Sequence, residues 1–594
     1  MGQQPFEPTN AAADPGAGRD ADARGAAAGE SGGVAQGDDE SAGAGRGSAV
    51  SGIEPDAVSA VVGSPAGPAG AAAAPAVDVP NLLERLDPAQ TPWTRGWRSW
   101  VIPLAATVAG AALRWPALGR PKALVFDETY YAKDAYAMLT HGAEWTWVDG
   151  ADKAVIAANG SAAAIDKLFK DSPAYIVHPP MGKWIIAIGE HLFGMTPFGW
   201  RFMPALLGTL LVLLTTRLAL RLTRSPAVAA GTGLFLAIDG MAIVMSRTAV
   251  LDGILTFLIV AAVACVVRDR DRVRAMLAGR MRASLDPAAL VRQWQSGAVR
   301  FGARPWLWAA GGLLGLAVST KWSAVWHIAF LGLLVLACGS GTRRLLGVQH
   351  RMRRTLLHDA PIAAAALVLL PLLVYLASWA GWFSTPGAYD RQWAATATVS
   401  GIMAAMPAAL RSWLHYHGQM WNFHVHLTQG HSYKANAWSW PVMARPTSFY
   451  YDSKWPCGAK SCAAEVLALG NPIVWWAGLL AILHQAWQWL AKRDFRAMII
   501  VIGWAAGWLP WLLFQQRTIF TFYAVIMAPF TCMALARSCV AILDSRGDRG
   551  MRFAVVTSLV LCALVTTWAL HPVWTGQPIP YSTWLLRMWL QTWI

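Results

Sequence analysis

From Trp100 onward the chain alternates between apolar runs and short polar connections. The runs fall at approximately 100–118, 199–220, 227–245, 249–267, 306–320, 322–338, 360–380, 472–490, 498–514, 519–541 and 553–570. Each approaches the ~20 residues that a ~30 Å hydrocarbon core requires, so the pattern predicts an all-α polytopic membrane protein with about eleven transmembrane helices. The apolar segment 182–193 is too short to span and reads as an interfacial helix. Two longer polar stretches interrupt the alternation, 120–180 and 381–471. The pattern therefore divides the chain into a transmembrane region 95–380 carrying the loop 120–180, a large loop 381–471, and a C-terminal transmembrane region 472–594.

Residues 1–80 stand apart. Ala, Gly, Pro, Ser and Asp dominate there, and residues 1–78 contain no Trp, Tyr or Leu. Such a segment cannot bury enough apolar surface to offset its chain entropy and is expected to be a disordered tail. It lacks the basic start and apolar core of a signal peptide. Beyond it, Trp93, Trp97 and Trp100 mark the approach to a membrane interface.

Composition sharpens this picture. The chain is 55% hydrophobic with 33 Trp and only 14% charged residues. Its formal charge of +15 would point to nucleic acid in a soluble protein. Here the cations gather in short connections, at Arg217/Arg221/Arg224, Arg268 to Arg304, Arg343 to Arg354, Lys492/Arg493/Arg496 and Arg546/Arg549/Arg552. The positive-inside tendency puts these clusters and the N-terminus in the cytoplasm, and no nucleic-acid partner is implied. The loops 120–180 and 381–471 and the turns at Ser246-Arg247, Ser319 to Ser323 and Gln515 to Arg517 then face outside. Cys457 and Cys462 lie on that oxidising side, where they could form a disulfide or remain two free thiols.

Chemistry-bearing residues collect on the same face. Asp127 and Glu128 are adjacent carboxylates just beyond the first span. Locally, Asp127 reads as the N-cap of a helix from Glu128 to about Thr140. His178 and Lys183 flank the bend His178-Pro179-Pro180-Met181-Gly182-Lys183. Arg201, Arg247 and Lys321 lie at outer span ends, while Asp239 and Asp252 interrupt apolar runs. Charges at membrane depth are costly and call for a partner, a ligand or a wet cavity, although a single Arg or Lys can snorkel to the headgroups. The long loop adds His415, His417, His424, His426 and His431 among many aromatics, suited to a membrane belt or a carbohydrate platform alike. Their spacing matches no zinc signature and no HExxH is present, so no metal site and no cofactor are assigned.

In order, these motifs are Phe126-Asp127-Glu128-x-Tyr130-Tyr131-x-Lys133, His178-Pro179-Pro180-x-Gly182-Lys183, Arg201-x-x-Pro204, Ser246-Arg247-x-x-x-Leu251-Asp252 and Ser319-x-Lys321-Trp322. The series resembles the protein O-mannosyltransferase family over most of residues 95–594. The run from Trp438 to Tyr451 resembles its actinobacterial branch, and there is no room for the lumenal β-trefoil domains of eukaryotic members.

The resemblance implies a GT-C glycosyltransferase in the cell membrane, with its active site outside. Mannose would pass from polyprenyl-phosphate-mannose to Ser or Thr hydroxyls of exported proteins, with the translocon as a candidate partner. Under that reading Asp127 is the expected base and Glu128 orients the acceptor or a cation. Arg201, Lys321 and Lys183 are expected to bind the donor phosphate, with His178, Arg247 and Asp252 in support. The alternatives are a GT-C transferase with a glycan or lipid acceptor, and a transporter or flippase using Asp239 and Asp252 as a charge path. A transporter would show internal repeats and mid-membrane sites, which the sequence does not.

Overall fold

The computed structural model describes residues 77–88, 91–398 and 400–594. The expectation of a disordered tail lies outside the described residues, except at its end, where helix α1 (Val79–Leu86) begins. The residues from Asp78 onward form one compact unit. Among its helices are α2 (Arg98–Arg114), α3 (Glu128–His141), α4 (Met181–Phe193), α5 (Pro197–Thr223), α6 (Pro226–Ala237), α7 (Gly240–Arg247), α8 (Leu251–Ala283), α9 (Pro305–Val318), α10 (Ala324–Leu345), α11 (Ala360–Ser378), α12 (Ala408–His426), α13 (Pro472–Lys492), α14 (Phe495–Leu513), α15 (Thr521–Leu543) and α16 (Arg549–Thr575).

Several helix starts share one local device. Thr196, Ser225 and Asn471 each cap a helix by accepting a backbone N–H, and each is followed by proline in the first turn of α5, α6 and α13. The cap satisfies an orphan donor, and proline there gives up an N–H that had no partner.

Among the described residues, seven helices are long and apolar enough to cross a membrane: α5, α8, α10, α11, α14, α15 and α16. The expected span 227–245 is not one straight helix. It breaks into α6 and α7 with a bend of 57°, because Asp239 leaves the helical path and caps α7 through Ala242 N–H at 2.9 Å. Counting that pair, up to eight spans meet the criterion. The remaining three expected spans fall on α2, α9 and α13. α2 and α9 have only 17 and 14 residues, and α13 is diluted by four Trp, His484, Gln485 and Gln488.

The long helices carry charged side chains at both ends. α5 runs from Arg201 to Arg221, α8 from Asp252 to Arg282, and α10 from just after Lys321 to Arg344. At the basic end, cations meet carboxylates in Arg304–Asp269, Arg343–Asp359, Arg221–Asp271 and Arg282–Asp87, the last tying the residue after α1 to α8.

The other end carries two small sheets that hydrophobic periodicity did not reveal. In the first loop β1 (Trp145–Trp147) pairs antiparallel with β2 (Phe169–Pro173). In the long loop β3 (Thr447–Asp452) pairs antiparallel with β4 (Cys462–Ala468), which also takes β5 (Ile579–Pro580) from beyond α16. Thr447 faces Ala468 and Tyr451 faces Glu465, with a bulge at Phe449. Cys457 and Cys462 are joined by a disulfide that closes the β3–β4 connection.

Close packing at the break in the α6–α7 span is set by Gly240. A Cβ there would lie 2.0 Å from the Trp574 ring of α16 and 2.4 Å from the Leu469 carbonyl. Neither neighbour can yield cheaply, so Gly240→Ala is expected to destabilise the protein by about 1–3 kcal/mol, the usual range for overpacking. Thermal unfolding in detergent measures this, and an unchanged midpoint would show that the break is plastic.

Candidate active site

The two adjacent carboxylates have opposite environments. Phe126, just before them, adopts φ 48°, a left-handed conformation unusual for a non-glycine residue. Its ring is held there by stacking on Phe449 of β3 at 4.7 Å, with Phe520 and Phe522 meeting it edge-on. The chain then turns into α3, with Asp127 at the N-cap position.

Asp127 does not act as a cap: its side chain accepts no backbone N–H. Its carboxylate receives one hydrogen bond, from the Tyr131 hydroxyl one turn on, at 3.3 Å. Burial is the main influence on its acidity and raises its pKa to about 6. The Lys321 ammonium pulls the other way, and the Asp252 carboxylate adds to the rise. The result is a partly desolvated carboxylate with open lone pairs and a pKa close to neutrality, which suits a general base.

Glu128 is fully buried and fully committed. Oε1 accepts from Arg201 Nε at 2.8 Å and Ala249 N–H at 2.9 Å. Oε2 accepts from Arg201 Nη2 at 2.7 Å and Val125 N–H at 3.0 Å. Arg201 in turn donates to the carbonyls of Leu118, Pro121 and Ala123. All five guanidinium N–H groups are thus occupied, and none is left for a phosphate. The pair pins the first loop to α5 and to the α7–α8 connection.

Two more expected cations are also engaged. Lys183 is buried between Glu144, which it contacts directly, and Asp134 at 3.9 Å, so it joins α4 to the first loop. Arg247 donates to the carbonyls of Arg114, Pro116 and Ala117 and thereby closes the end of α2. Asp239, besides capping α7, accepts from Asn471 N–H at 3.0 Å and Trp475 Nε1 at 2.8 Å.

Lys321, Asp252 and Tyr523 stand near Asp127, and His178, His424 and Arg517 extend the group beyond Lys321. Lys321 Nζ donates to both Asp252 oxygens at 2.9 Å and sits 4.0 Å from the Tyr523 ring centre. The His178 ring lies 5.9 Å from that of Tyr131 and 5.1 Å from that of His424. Burial, aided by nearby His424 and Lys321, holds the His178 pKa well below its usual value, so the ring is neutral. His424 Nε2 bonds the Val177 carbonyl at 2.6 Å while Nδ1 accepts from Arg517 Nη2 at 3.1 Å. These partners assign its neutral tautomer. Arg517 Nε is buried without a hydrogen-bond partner.

Sequence reasoning singled out Asp127, Lys321, His178 and Asp252 but gave no role to Tyr131, Arg517 or Tyr523. Arg517 could have been noticed as a lone cation in an outer turn. The other loop histidines diverge: His415 stacks on Trp393 at 3.9 Å, and His417 bonds the Tyr375 hydroxyl at 2.7 Å.

A multi-span helical bundle with charged side chains gathered at one membrane end, beneath small extramembrane sheets, is the arrangement of a GT-C glycosyltransferase. The family model "Dolichyl-phosphate-mannose-protein mannosyltransferase" matches residues 104–383. The model for the C-terminal four-helix region of protein O-mannosyltransferases matches 409–593. The chain belongs to the protein O-mannosyltransferase family. It is 37% identical to the polyprenol-phosphate-mannose–protein mannosyltransferase of Mycobacterium tuberculosis, over 84% of this chain and 92% of that one. Its counterpart in Corynebacterium glutamicum is 31% identical, over 79% and 88%. The Saccharomyces cerevisiae protein O-mannosyltransferase Pmt1-Pmt2 complex, bound to its sugar donor, shares the fold with a TM-score of 0.63 at 15% identity, covering 87% of this chain and 94% of that one.

The two carboxylates are expected to respond differently to substitution. Arg201→Met strands Glu128 in a buried site and should cost about 3–5 kcal/mol of stability. Asp127→Asn breaks no cap and should leave thermal unfolding unchanged. Equal losses in the two variants would refute this division.

Proposed function

We propose that the protein transfers mannose from polyprenyl-phosphate-mannose to Ser or Thr hydroxyls of exported proteins at the outer face of the cell membrane. The observation that carries this reading is the uncommitted Asp127 carboxylate beside Lys321, next to a glutamate wholly consumed by structure. The names of the actinobacterial relatives support the donor and the protein acceptor.

In this mechanism the acceptor hydroxyl oxygen attacks C1 of the mannosyl group and its proton passes to Asp127. The bond from C1 to the phosphate oxygen breaks, and its electron pair leaves with the polyprenyl phosphate. One displacement inverts C1 and needs a single base, which contributes about 10²–10⁴-fold. Tyr131 holds the Asp127 carboxylate in place. Lys321 and Arg517 supply positive charge where the phosphate charge develops. Arg201 and Lys183, first expected at the phosphate, act as internal staples, and Glu128 holds the loop rather than the acceptor. The two transmembrane regions 95–380 and 472–594 close around this site, and the loop 381–471 roofs it. A translocon as the source of acceptor chains is part of the same proposal.

Purified protein in lipid nanodiscs, given labelled polyprenyl-phosphate-mannose and a Ser/Thr-rich peptide, should transfer label to the peptide. Asp127→Asn should lower turnover by about 10²–10⁴-fold. Because the base must be deprotonated, the rate should fall as pH drops through about 6. Lys321 lowers the Asp127 pKa, so Lys321→Met should move that acid limb to higher pH. A pH-independent rate between pH 5 and 8 would remove Asp127 as the base.

Orientation is tested separately. A cysteine placed at Gly430 should react with an impermeant maleimide applied from outside, and one at Gly279 should not; both positions are free of steric neighbours. The reverse pattern would put the site in the cytoplasm.

A further inference from the structure

A narrow cleft opens beside the Lys321–Asp252 pair, at the start of α10. It is lined by Asp252, Ser323, His327 and Tyr523 on its polar side, and Trp511 and Val525 are among its apolar residues. It has room for one hydroxyl-sized group rather than a whole sugar ring.

His327 has no role in the arrangement described so far. It sits in the first turn of α10 and is only 3% exposed. The Ser323 carbonyl one turn back approaches the ring, but neither ring nitrogen completes a well-aligned hydrogen bond. A buried imidazole whose nitrogens complete no well-aligned hydrogen bond costs folding free energy, and native structures keep few such groups without a use. Leu or Phe would fill this apolar helix start at lower cost.

The chemistry of the cleft selects its ligand. Ser323 and Tyr523 bring hydroxyls that donate or accept, His327 brings one donor and one acceptor, and Asp252 accepts. Such a mixed set matches an alcohol group. It does not match a phosphate oxygen, which would meet the Asp252 carboxylate directly. Lys321 also lies close enough to Asp127 to lower its pKa, so the cleft borders the reacting centre.

We propose that this cleft is a recognition notch for one ring hydroxyl of the donor mannose, read by His327 with Ser323 and Tyr523. The inference rests on the function proposed above and adds a determinant of donor-sugar specificity to it. His327 acts on the choice of sugar, while Asp127 and Lys321 act at the bonds that form and break. A site built to bond a hydroxyl rejects a sugar lacking it, because its own polar groups are then left unpaired.

The test is a cycle between enzyme variants and donor analogues. Polyprenyl-phosphate-mannose is compared with donors deoxygenated singly at C2, C3, C4 or C6 of the sugar, on wild type and on His327→Ala. In the wild type one analogue should lose about 10- to 100-fold in kcat/KM beyond the others, the cost of leaving one buried polar group unpaired. His327→Ala should lose a similar factor on the natural donor and lose nothing more on that one analogue. His327→Gln, which keeps a donor and an acceptor, should recover part of the discrimination. Should His327→Ala fail to fold, Ser323→Ala and Tyr523→Phe enter the same cycle and should show the same non-additivity.

Losses that multiply for every analogue would overturn the notch, and equal losses on all donors would assign His327 to packing or to the phosphate instead. If the wild type transfers no mannose at all, the functional reading falls and the inference with it. If mannose is transferred normally but the cycle is additive, the inference alone fails.

Discussion

The buried pair of Glu128 and Arg201 is the constraint on which the site depends. An ion pair taken out of water recovers its desolvation cost only when geometry is good and every remaining donor and acceptor is satisfied. Here both conditions hold: the pair is bidentate, and five backbone groups complete it, four from the stretch 118–125 and one from Ala249. The first loop therefore cannot drift from the membrane helices, and α3 starts at a fixed point. Asp127 inherits that position without spending its own side chain on it.

Other buried charges extend the same logic. Arg114 donates to the carbonyls of Leu236 and Ala237 at the end of α6, and Arg247 closes the end of α2 from α7. Asp239 fastens the broken span to the start of α13. A broken helix in a membrane exposes backbone groups that lipid cannot satisfy. These side chains satisfy them, so the bend is a rigid corner and not a transport path. Of the two carboxylates that could have formed a charge path, Asp239 is a joint of the scaffold, whereas Asp252 pairs with Lys321 near Asp127.

Much of this was legible in the chain. Apolar run length marked the helices, and the ordered acidic, histidine, arginine and lysine motifs marked the family. The use of each cation was not legible. Arg201 and Lys183 read as free charges at a membrane surface because sequence does not reveal a partner 73 or 39 residues away. Asp239-Gly240 is a turn dipeptide that could have signalled the broken span, but the apolar residues on either side masked it. The β3–β4 hairpin was hidden in the same way, since its aromatic residues suit a membrane belt as well as a strand.

Adjacency in sequence does not mean similarity in chemistry, and the two carboxylates make the point physically. Glu128 has an extra methylene, points inward and meets four donors. Asp127 is shorter, stands at a cap position it does not use, and meets one phenol. In the low dielectric at a membrane edge an unpaired carboxylate resists ionisation, so burial alone would leave Asp127 protonated and inert as a base. Lys321 offsets that, and Asp252 in turn keeps Lys321 from pairing with Asp127 outright. The Asp127 carboxylate is thus kept near neutrality by a cation that is itself paired with a second carboxylate, with the rigid Glu128–Arg201 joint behind them.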